Sequence, residues 1–563
     1  MNKAEYDVVI LGGGLAGLTL SLQIKQRNPA ISILILEKRA EDAPTAAHKV
    51  GESTVELGTH YLRETLQLKD YLEASHLPKH GLRFYFSPKH KSKIEERVEL
   101  GPRKLLPIPS HQIDRGVFEN ELVNKTRALG NEVCLGADVA RVELHASKEM
   151  HRIHFSIDGK ETSVDCRWAV DATGRNFLLK RQLSLHKPID HDVNAVWFRI
   201  QSEIDVTDWS DNKEWKEFLE PGLRRLGTIH FMDVGYWLWL IPLSSGSTSV
   251  GIVADANIHP FSEINRLSKA MEWLKRNEPQ AAGIIEPLLD KVLDFKALKH
   301  YAHHSERVYS ADRWAVTGES GAFLDPLYSP GTDFIALNNT WLTDLILRDM
   351  RGENIELHAT VYEKTHLATV DNWIPVYQNK YQLMGSTQIM VAKIFWDWAT
   401  YWSITTLLFV NEGYTDIQVL KQLFGTNKKA GIKLGALNDK VQQLFLDWKK
   451  YDTASFSSRY IDPFDVTYLR TFHQQLDDKL NPQELLERVE GNLVILEKVA
   501  AELFRKVSHQ VRQTPLNMEV DPYLMSLEID SRSNEGFVNI PVDQSISDAV
   551  GVMWFYPQEV ENE

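Results

Sequence analysis

Three glycines and one carboxylate carry the first chemistry legible in this sequence. Gly12, Gly14 and Gly17 stand as G-x-G-x-x-G directly after the apolar run Val8-Val9-Ile10-Leu11. In that pattern the first glycine allows a tight turn. The second lets a pyrophosphate approach the backbone, and the third lets helix and strand pack closely. The first amides of the following helix turn the positive end of its dipole toward the phosphates. Glu37 closes the next apolar run at the spacing of a carboxylate that holds an adenosine ribose. Strand before, helix after and acid at the next strand end together predict a dinucleotide site.

Further small-residue turns extend that site. Gly51-Glu52-Ser53 precedes a helical pattern and again offers amides to an anion. Asp171-Ala172-Thr173-Gly174 ends an apolar strand with small residues, which suits a backbone that passes close to a cofactor. Gly318 and Gly331 punctuate a later strand–turn–helix stretch, residues 313–347. Cys134 and Cys166 have neither C-x-x-C nor metal spacing, so no disulfide framework and no metal site is expected.

The elements that must position these turns follow from periodicity. Residues 6–39 read as strand, glycine turn, helix, strand. Residues 77–87 alternate like a strand, and 110–130 read as a helix entered through Asp114. The segment 131–144 reads as one strand. Residues 151–174 read as two strands joined by an Asp158-Gly159 turn, followed by a third. Residues 190–255 are strand-rich and predict a second sheet that roofs a pocket. Beyond about residue 350 the pattern is mainly helical. The clearest helix spans 481–507, with Asn481 as cap, Pro482 in the first turn and Glu484 completing the entry.

The expected fold class is therefore α/β: a Rossmann-like domain, an inserted mostly antiparallel sheet and a mainly helical C-terminal region. The expected boundaries are 1–190 with 296–350 for the dinucleotide domain, 191–295 for the sheet domain and 351–563 for the helical one.

With 563 residues the chain is long enough for two or three domains at roughly 150 residues each. The formal net charge of −14 argues against nucleic acid as a partner, since phosphate binding needs a basic face. The most apolar stretch, 394–410, carries Asp397 and falls short of the ~20 residues that span a bilayer. It reads as a buried tryptophan-rich helix, so membrane association is not expected. The start shows no signal or transit pattern, and a cytoplasmic protein is expected.

The glycine turn, the Asp171–Gly174 strand end and the late strand–helix resemble the hydroxylase-type FAD-binding flavoproteins over roughly residues 6–345. A narrower resemblance rests on Trp237-Leu238-Trp239-Leu240-Ile241-Pro242, which matches the W-x-W-x-I-P motif of the flavin-dependent (tryptophan) halogenases. Gly51-Glu52-Ser53, Lys79 and the segment Asp325-Pro326-Leu327-Tyr328-Ser329-Pro330-Gly331 fall in that family's order.

The resemblance implies FAD, reduced by a separate flavin reductase because only one G-x-G-x-x-G is present. It implies O2 and halide as co-reactants. Hypohalous acid would pass through a tunnel to Lys79, the expected catalytic residue, and meet an electron-rich small-molecule or carrier-tethered aromatic substrate. Expected FAD contacts are Gly12, Gly14, Ala16, Gly17, Glu37 and Lys38 at the first turn. Gly51, Glu52, Ser53 and Arg115 follow, then Thr173, Gly174, Gly318, Glu319, Pro326 and Gly331. Trp237, Trp239 and Tyr328 are expected along tunnel and substrate site, and Ser329 with Gly331 at the halide. The helical C-terminal third, with Trp373, Trp396, Trp398 and Trp402, is expected to cover the substrate site or to extend from it.

Three departures from the family pattern are visible. Glu319 replaces the usual Asp after a glycine. Tyr328 stands where tryptophan halogenases have a glutamate, which points away from free tryptophan. Pro330 lacks the N–H that would serve the halide. The last feature keeps a halide-independent monooxygenase open as an alternative, and a non-catalytic binding protein is a third.

Overall fold

The computed structural model describes residues 3–86, 91–146, 149–425, 429–452, 458–528 and 538–554. The Glu5–Leu11 strand lies inside the first sheet because it is apolar on both faces, and Val8, Val9, Ile10 and Leu11 are fully buried. It pairs in parallel with Ile33–Glu37 on one side and Lys160–Asp171 on the other. Glu132–Leu135 adds in parallel beyond Ile33–Glu37, and Trp314–Val316 pairs with the end of Lys160–Asp171. The Leu15–Arg27 helix packs between the helices Arg115–Ala128 and Gly331–Met350.

Two strand expectations are corrected. Residues 131–144 are not one strand. They break at Gly136, whose φ of +74° only glycine adopts readily, into Glu132–Leu135 and Ala137–Glu143. The first joins the parallel part of the sheet and the second its antiparallel part. Conversely, the expected second and third strands of 151–174 are a single 12-residue strand, Lys160–Asp171. Nothing between those residues breaks a strand. Its first half pairs antiparallel with His151–Ile157 across the Asp158-Gly159 turn, and its second half runs parallel to Glu5–Leu11.

The second sheet has eight strands in the order Val292–Leu298, Val193–Ile200, Thr248–Asp255, Tyr236–Pro242, Thr228–Asp233, Leu82–Phe86, Val98–Leu100 and Arg459–Ile461. It thus recruits strands from well before residue 191 and one from the helical region. One face packs on a separate apolar cluster that includes Trp273, Ile252 and Phe198. The other face turns Trp237 and Trp239 toward the FAD-type fold, because residues two apart on a strand share a face.

The helical region carries the Thr387–Thr400 helix, which continues through a π-helical stretch, Tyr401–Thr406, into Leu407–Val410. Among the described residues no helix is long and apolar enough to cross a membrane. The Pro482–Arg512 helix begins with the expected capping box between Asn481 and Glu484. Its apolar stripe, from Leu486 through Leu496 to Val507, is buried.

Candidate active site

Two cavities flank the second sheet, the larger between it and the first sheet and the smaller between it and the helical region. The larger, about 770 Å³, runs from the glycine turn past Glu37, Lys38 and Arg115 to Trp237, Trp239 and Ser329–Gly331. Gly12 has φ +111°, and a Cβ there would sit 2.3 Å from the Ala172 carbonyl oxygen. A Cβ on Gly17 would sit 2.1 Å from the Gly12 oxygen, so Gly17 supports the turn from behind rather than lining the cleft. Gly14 and Ala16 line it, as do Gly51, Glu52, Ser53, Thr173, Gly174, Gly318, Glu319 and Pro326.

Several of these side chains are already engaged. The Glu37 carboxylate accepts from the Gly13 amide at 2.6 Å and the Arg39 amide at 2.8 Å, which holds it beside the turn. Lys38 donates to Asp138 at 3.1 Å. Glu319 accepts from Arg175 at 3.2 Å, and that pair closes one side of the cleft. Glu52 is buried and accepts from Arg199 at 2.9 Å, so its carboxylate ties the glycine-rich turn to the second sheet. Arg115 donates to Val50 O at 2.7 Å and to Glu119, while its buried Nε has no partner among the described residues.

The Gly331–Met350 helix aims its first turn at this cleft. Pro330 is its N-cap, and the Ser329 amide is committed to Pro326 O at 2.9 Å. Of the expected pair at an anion, Ser329 therefore retains its hydroxyl rather than its amide, and both Ser329 and Gly331 line the cleft. The first-turn amides without an intrahelical partner are those of Gly331, Thr332 and Asp333, and the first two residues line the cleft. Tyr328 and Ser329 enter the helix through consecutive left-handed conformations, φ +69° and +62°. For non-glycine residues that is strained backbone, of the kind that concentrates at functional sites.

The smaller cavity, about 110 Å³, contains Lys79. Lys79 leaves the short Leu77–Pro78 strand, which pairs with His111–Gln112, and its own amide donates to Ser110 O at 2.8 Å. Only 2% of Lys79 is exposed, and its Nζ donates to the Thr54 carbonyl at 2.6 Å. Burial lowers its pKa to about 7, against the pull of Glu56 and Asp333, which raise it. Asp333 accepts from the Gly58 amide at 2.8 Å and the Tyr401 hydroxyl at 2.9 Å, and burial raises its pKa to about 8. Burial pushes Glu56 upward, but His473, Lys79 and a backbone amide outweigh it and hold Glu56 below the usual glutamate range.

Aromatic rings close this chamber: Trp373, Tyr377, Trp398, Tyr401, Trp402 and Phe464. Trp396 does not line the chamber itself; its indole donates at 3.0 Å to Asn438, which does. Tyr328 lines the chamber and donates to Asp397 at 2.9 Å, and Lys393 donates to the same carboxylate at 2.5 Å. Burial, then Asp397, push the Tyr328 phenol well above its usual pKa.

Two short segments separate the cavities. Ser53 faces the cleft while Val55 and Glu56 face the chamber, with the Thr54 carbonyl between them on Lys79. Ser329–Thr332 face the cleft while Tyr328 and Asp333 face the chamber. Trp237 and Trp239 stand on the cleft side, donating to Tyr381 at 2.9 Å and Ser249 at 3.2 Å.

A family model described as an FAD binding domain matches residues 5–246. The flavin-dependent halogenase chlA of Dictyostelium discoideum is 27% identical over 462 residues, 76% of this chain and 75% of that protein. The 1H-pyrrole-2-carbonyl-[peptidyl-carrier protein] chlorinase of Pseudomonas fluorescens is 25% identical, over 68% of this chain and 85% of its own. Over most of its length this chain is similar to flavin-dependent halogenases, and it carries an FAD-binding domain. The fold agrees: the crystal structure of halogenase PltM with phloroglucinol and FAD superposes with a TM-score of 0.65 at 16% identity, covering 86% of this chain and 96% of that one.

The larger cleft has the lining that an FAD needs. Its residues fit that group. The glycine turn leaves no room for side chains, the Glu37 carboxylate waits at the second strand end, and a buried guanidinium nitrogen lacks a partner. Sequence reasoning missed Glu56, Asp333, Asp397, Tyr401 and His473. The first two follow Ser53 and Gly331 by three and two residues, which was the available signal.

Proposed function

We propose that this halogenase acts on a small, electron-rich aromatic ring held beside Lys79. The observation that carries this reading is a nearly fully buried lysine inside an aromatic chamber, separated from the FAD cleft by two short chain segments. Reduced FAD, delivered by a separate reductase, supplies with O2 and halide the oxidised halogen as hypohalous acid.

The chain's own residues do the rest. The Gly331 and Thr332 amides, at the positive end of a 20-residue helix, hold the halide anion. The 53–55 and 328–332 segments keep the substrate away from the flavin ring and leave a passage only for a small oxidant. Lys79 spends one N–H on Thr54 O and has two left to hold hypohalous acid. A ring carbon attacks the halogen, the carbon–halogen bond forms as the halogen–oxygen bond breaks, and the leaving hydroxide takes a proton from the Lys79 ammonium to become water. Glu56, held ionised by His473 and Lys79, takes the displaced ring proton.

Size and charge narrow the substrate. An apolar cavity of about 150 Å³ accommodates benzene, so a chamber of about 110 Å³ suits one ring rather than the two of an indole. Glu56, Asp333 and Asp397 line it, which disfavours an anionic ring substituent. Relatives named for a pyrrole-2-carbonyl group on a peptidyl carrier protein handle a ring of this size. Phenols and pyrroles, free or carrier-tethered, are therefore the proposed class.

The test supplies reduced FAD, O2 and bromide with a panel of one-ring phenols and pyrroles. Halide-dependent halogenated products are expected. Pro330 and the committed Ser329 amide favour one other outcome, labelled-oxygen incorporation that persists without halide, and that result would replace halogenation with hydroxylation.

A further inference from the structure

Lys49 has no place in the site described so far, yet its side chain lies in the FAD cleft. Its Nζ sits 2.9 Å from the position a Cβ on Gly14 would take. Gly14 is the glycine of the turn that leaves space for a pyrophosphate. An ammonium therefore stands where the dinucleotide's negative charge must go.

The backbone of Lys49 is fixed while its side chain is not. Arg199 donates to the Lys49 carbonyl at 2.7 Å, and Arg199 is itself held by Glu52 at 2.9 Å and Asp294 at 2.7 Å. Arg115 pins the next residue through Val50 O at 2.7 Å. The side chain of Lys49 is 54% exposed, and its nearest carboxylate is Glu119 at 3.9 Å, a long ion pair. Glu119 is fully buried and already serves Arg115 and, at 2.9 Å, His48. Burial pushes the Glu119 carboxyl upward, but Arg115 and Lys49 outweigh it and keep it ionised.

We propose that Lys49 is a pyrophosphate-binding residue that clamps the two phosphates of FAD. The inference rests on the reading of this cleft as the FAD site. Glu119 serves as the resting counter-charge. A dinucleotide offers Lys49 a doubly negative, closer partner than a carboxylate 3.9 Å away that Arg115 and His48 already share.

The test is FAD affinity of the full chain, read by flavin fluorescence at low and high salt, for the parent, Lys49→Met and Lys49→Arg. A charge-assisted bond corresponds to about a tenfold loss for Lys49→Met at 50 mM salt. Screening shrinks that gap to under about threefold at 0.5 M. Lys49→Arg is expected to stay within about threefold of the parent. Thermal melting of the apo variants separates binding loss from misfolding, and Lys49→Arg keeps the question answerable if Lys49→Met does not fold. Parent-like affinity of Lys49→Met at low salt, or a loss equal at both salts, would overturn the clamp. A parent that takes up no FAD would remove instead the reading on which the clamp rests.

Discussion

Tyr401 donates its hydroxyl to Asp333 at 2.9 Å and accepts from the Leu57 amide at 3.1 Å. That one phenol joins three parts of the molecule. Asp333 opens the helix that completes the FAD fold, Leu57 follows the glycine-rich turn, and Tyr401 begins the π-helical stretch of the C-terminal region. π-helical turns are rare and collect at functional sites. Here the turn sets Tyr401, Trp402 and Thr405 on the chamber wall.

Tyr401→Phe removes a donor from a buried carboxylate and an acceptor from a buried amide. A loss of about 1–3 kcal/mol is expected, read as a lower melting temperature. FAD affinity should be unchanged, because Tyr401 does not line the cleft. Halogenation should fall while flavin oxidation continues.

The pH dependence follows from Lys79 and Glu56. Above about pH 7 Lys79 progressively loses its proton, so halogenation should decline on the alkaline side while flavin oxidation does not. Glu56, which stays ionised, raises the Lys79 pKa, so Glu56→Gln should move that alkaline limb to lower pH. Rate profiles of product formation for both proteins check this.

Stability carries the same signature. Asp333 binds a proton in the native state between its ordinary value of 3.8 and about 8, so its burial costs progressively more as pH rises through that window. Asp333→Asn should therefore gain melting temperature over the parent at pH 8 relative to pH 5. Lys79 behaves oppositely. Its native pKa is depressed from 10.5 to about 7, so the cost of burying its charge is fully present below about 7 and is relieved as pH rises toward 10.5. Lys79→Met should remove that rise.

Trp398→Ala should open the chamber toward two-ring substrates. The indole is 7% exposed and stacks on Trp402 with ring centroids 5.6 Å apart. Truncation of a buried tryptophan costs about 3–5 kcal/mol. Indole turnover in the variant, compared with the parent, checks the size argument. No gain with indole would place the limit elsewhere in the wall.

The FAD half of the molecule was legible because its signals are local. The turn Gly12–Gly17, the Glu37 strand end and the Asp171–Gly174 strand end each declare themselves within a few residues. The chamber was not, because its parts come from residues near 55, 79, 333 and 400, which only the tertiary fold brings together. Lys79 was found through a family resemblance, whereas Asp333 reads in sequence as an ordinary acid in a helix's first turn. Trp398 and Trp402 share a helix face and Trp396 does not, a distinction that periodicity contains once the chamber side is known. The broken strand at Gly136 carried its own signal in the glycine. The single strand Lys160–Asp171 was over-divided because one strand serving both the parallel and the antiparallel part of a sheet leaves no mark in composition.

The most direct measurement is a single turnover with pre-reduced FAD, O2, bromide and a one-ring phenol, analysed by mass spectrometry for the parent and Lys79→Met. The parent should give brominated phenol that depends on bromide. Lys79→Met should reoxidise its flavin at the parent rate and yield at least about a hundredfold less product. Equal bromination by Lys79→Met, or a hydroxylated product formed at the same rate without bromide, would contradict halogen transfer through Lys79.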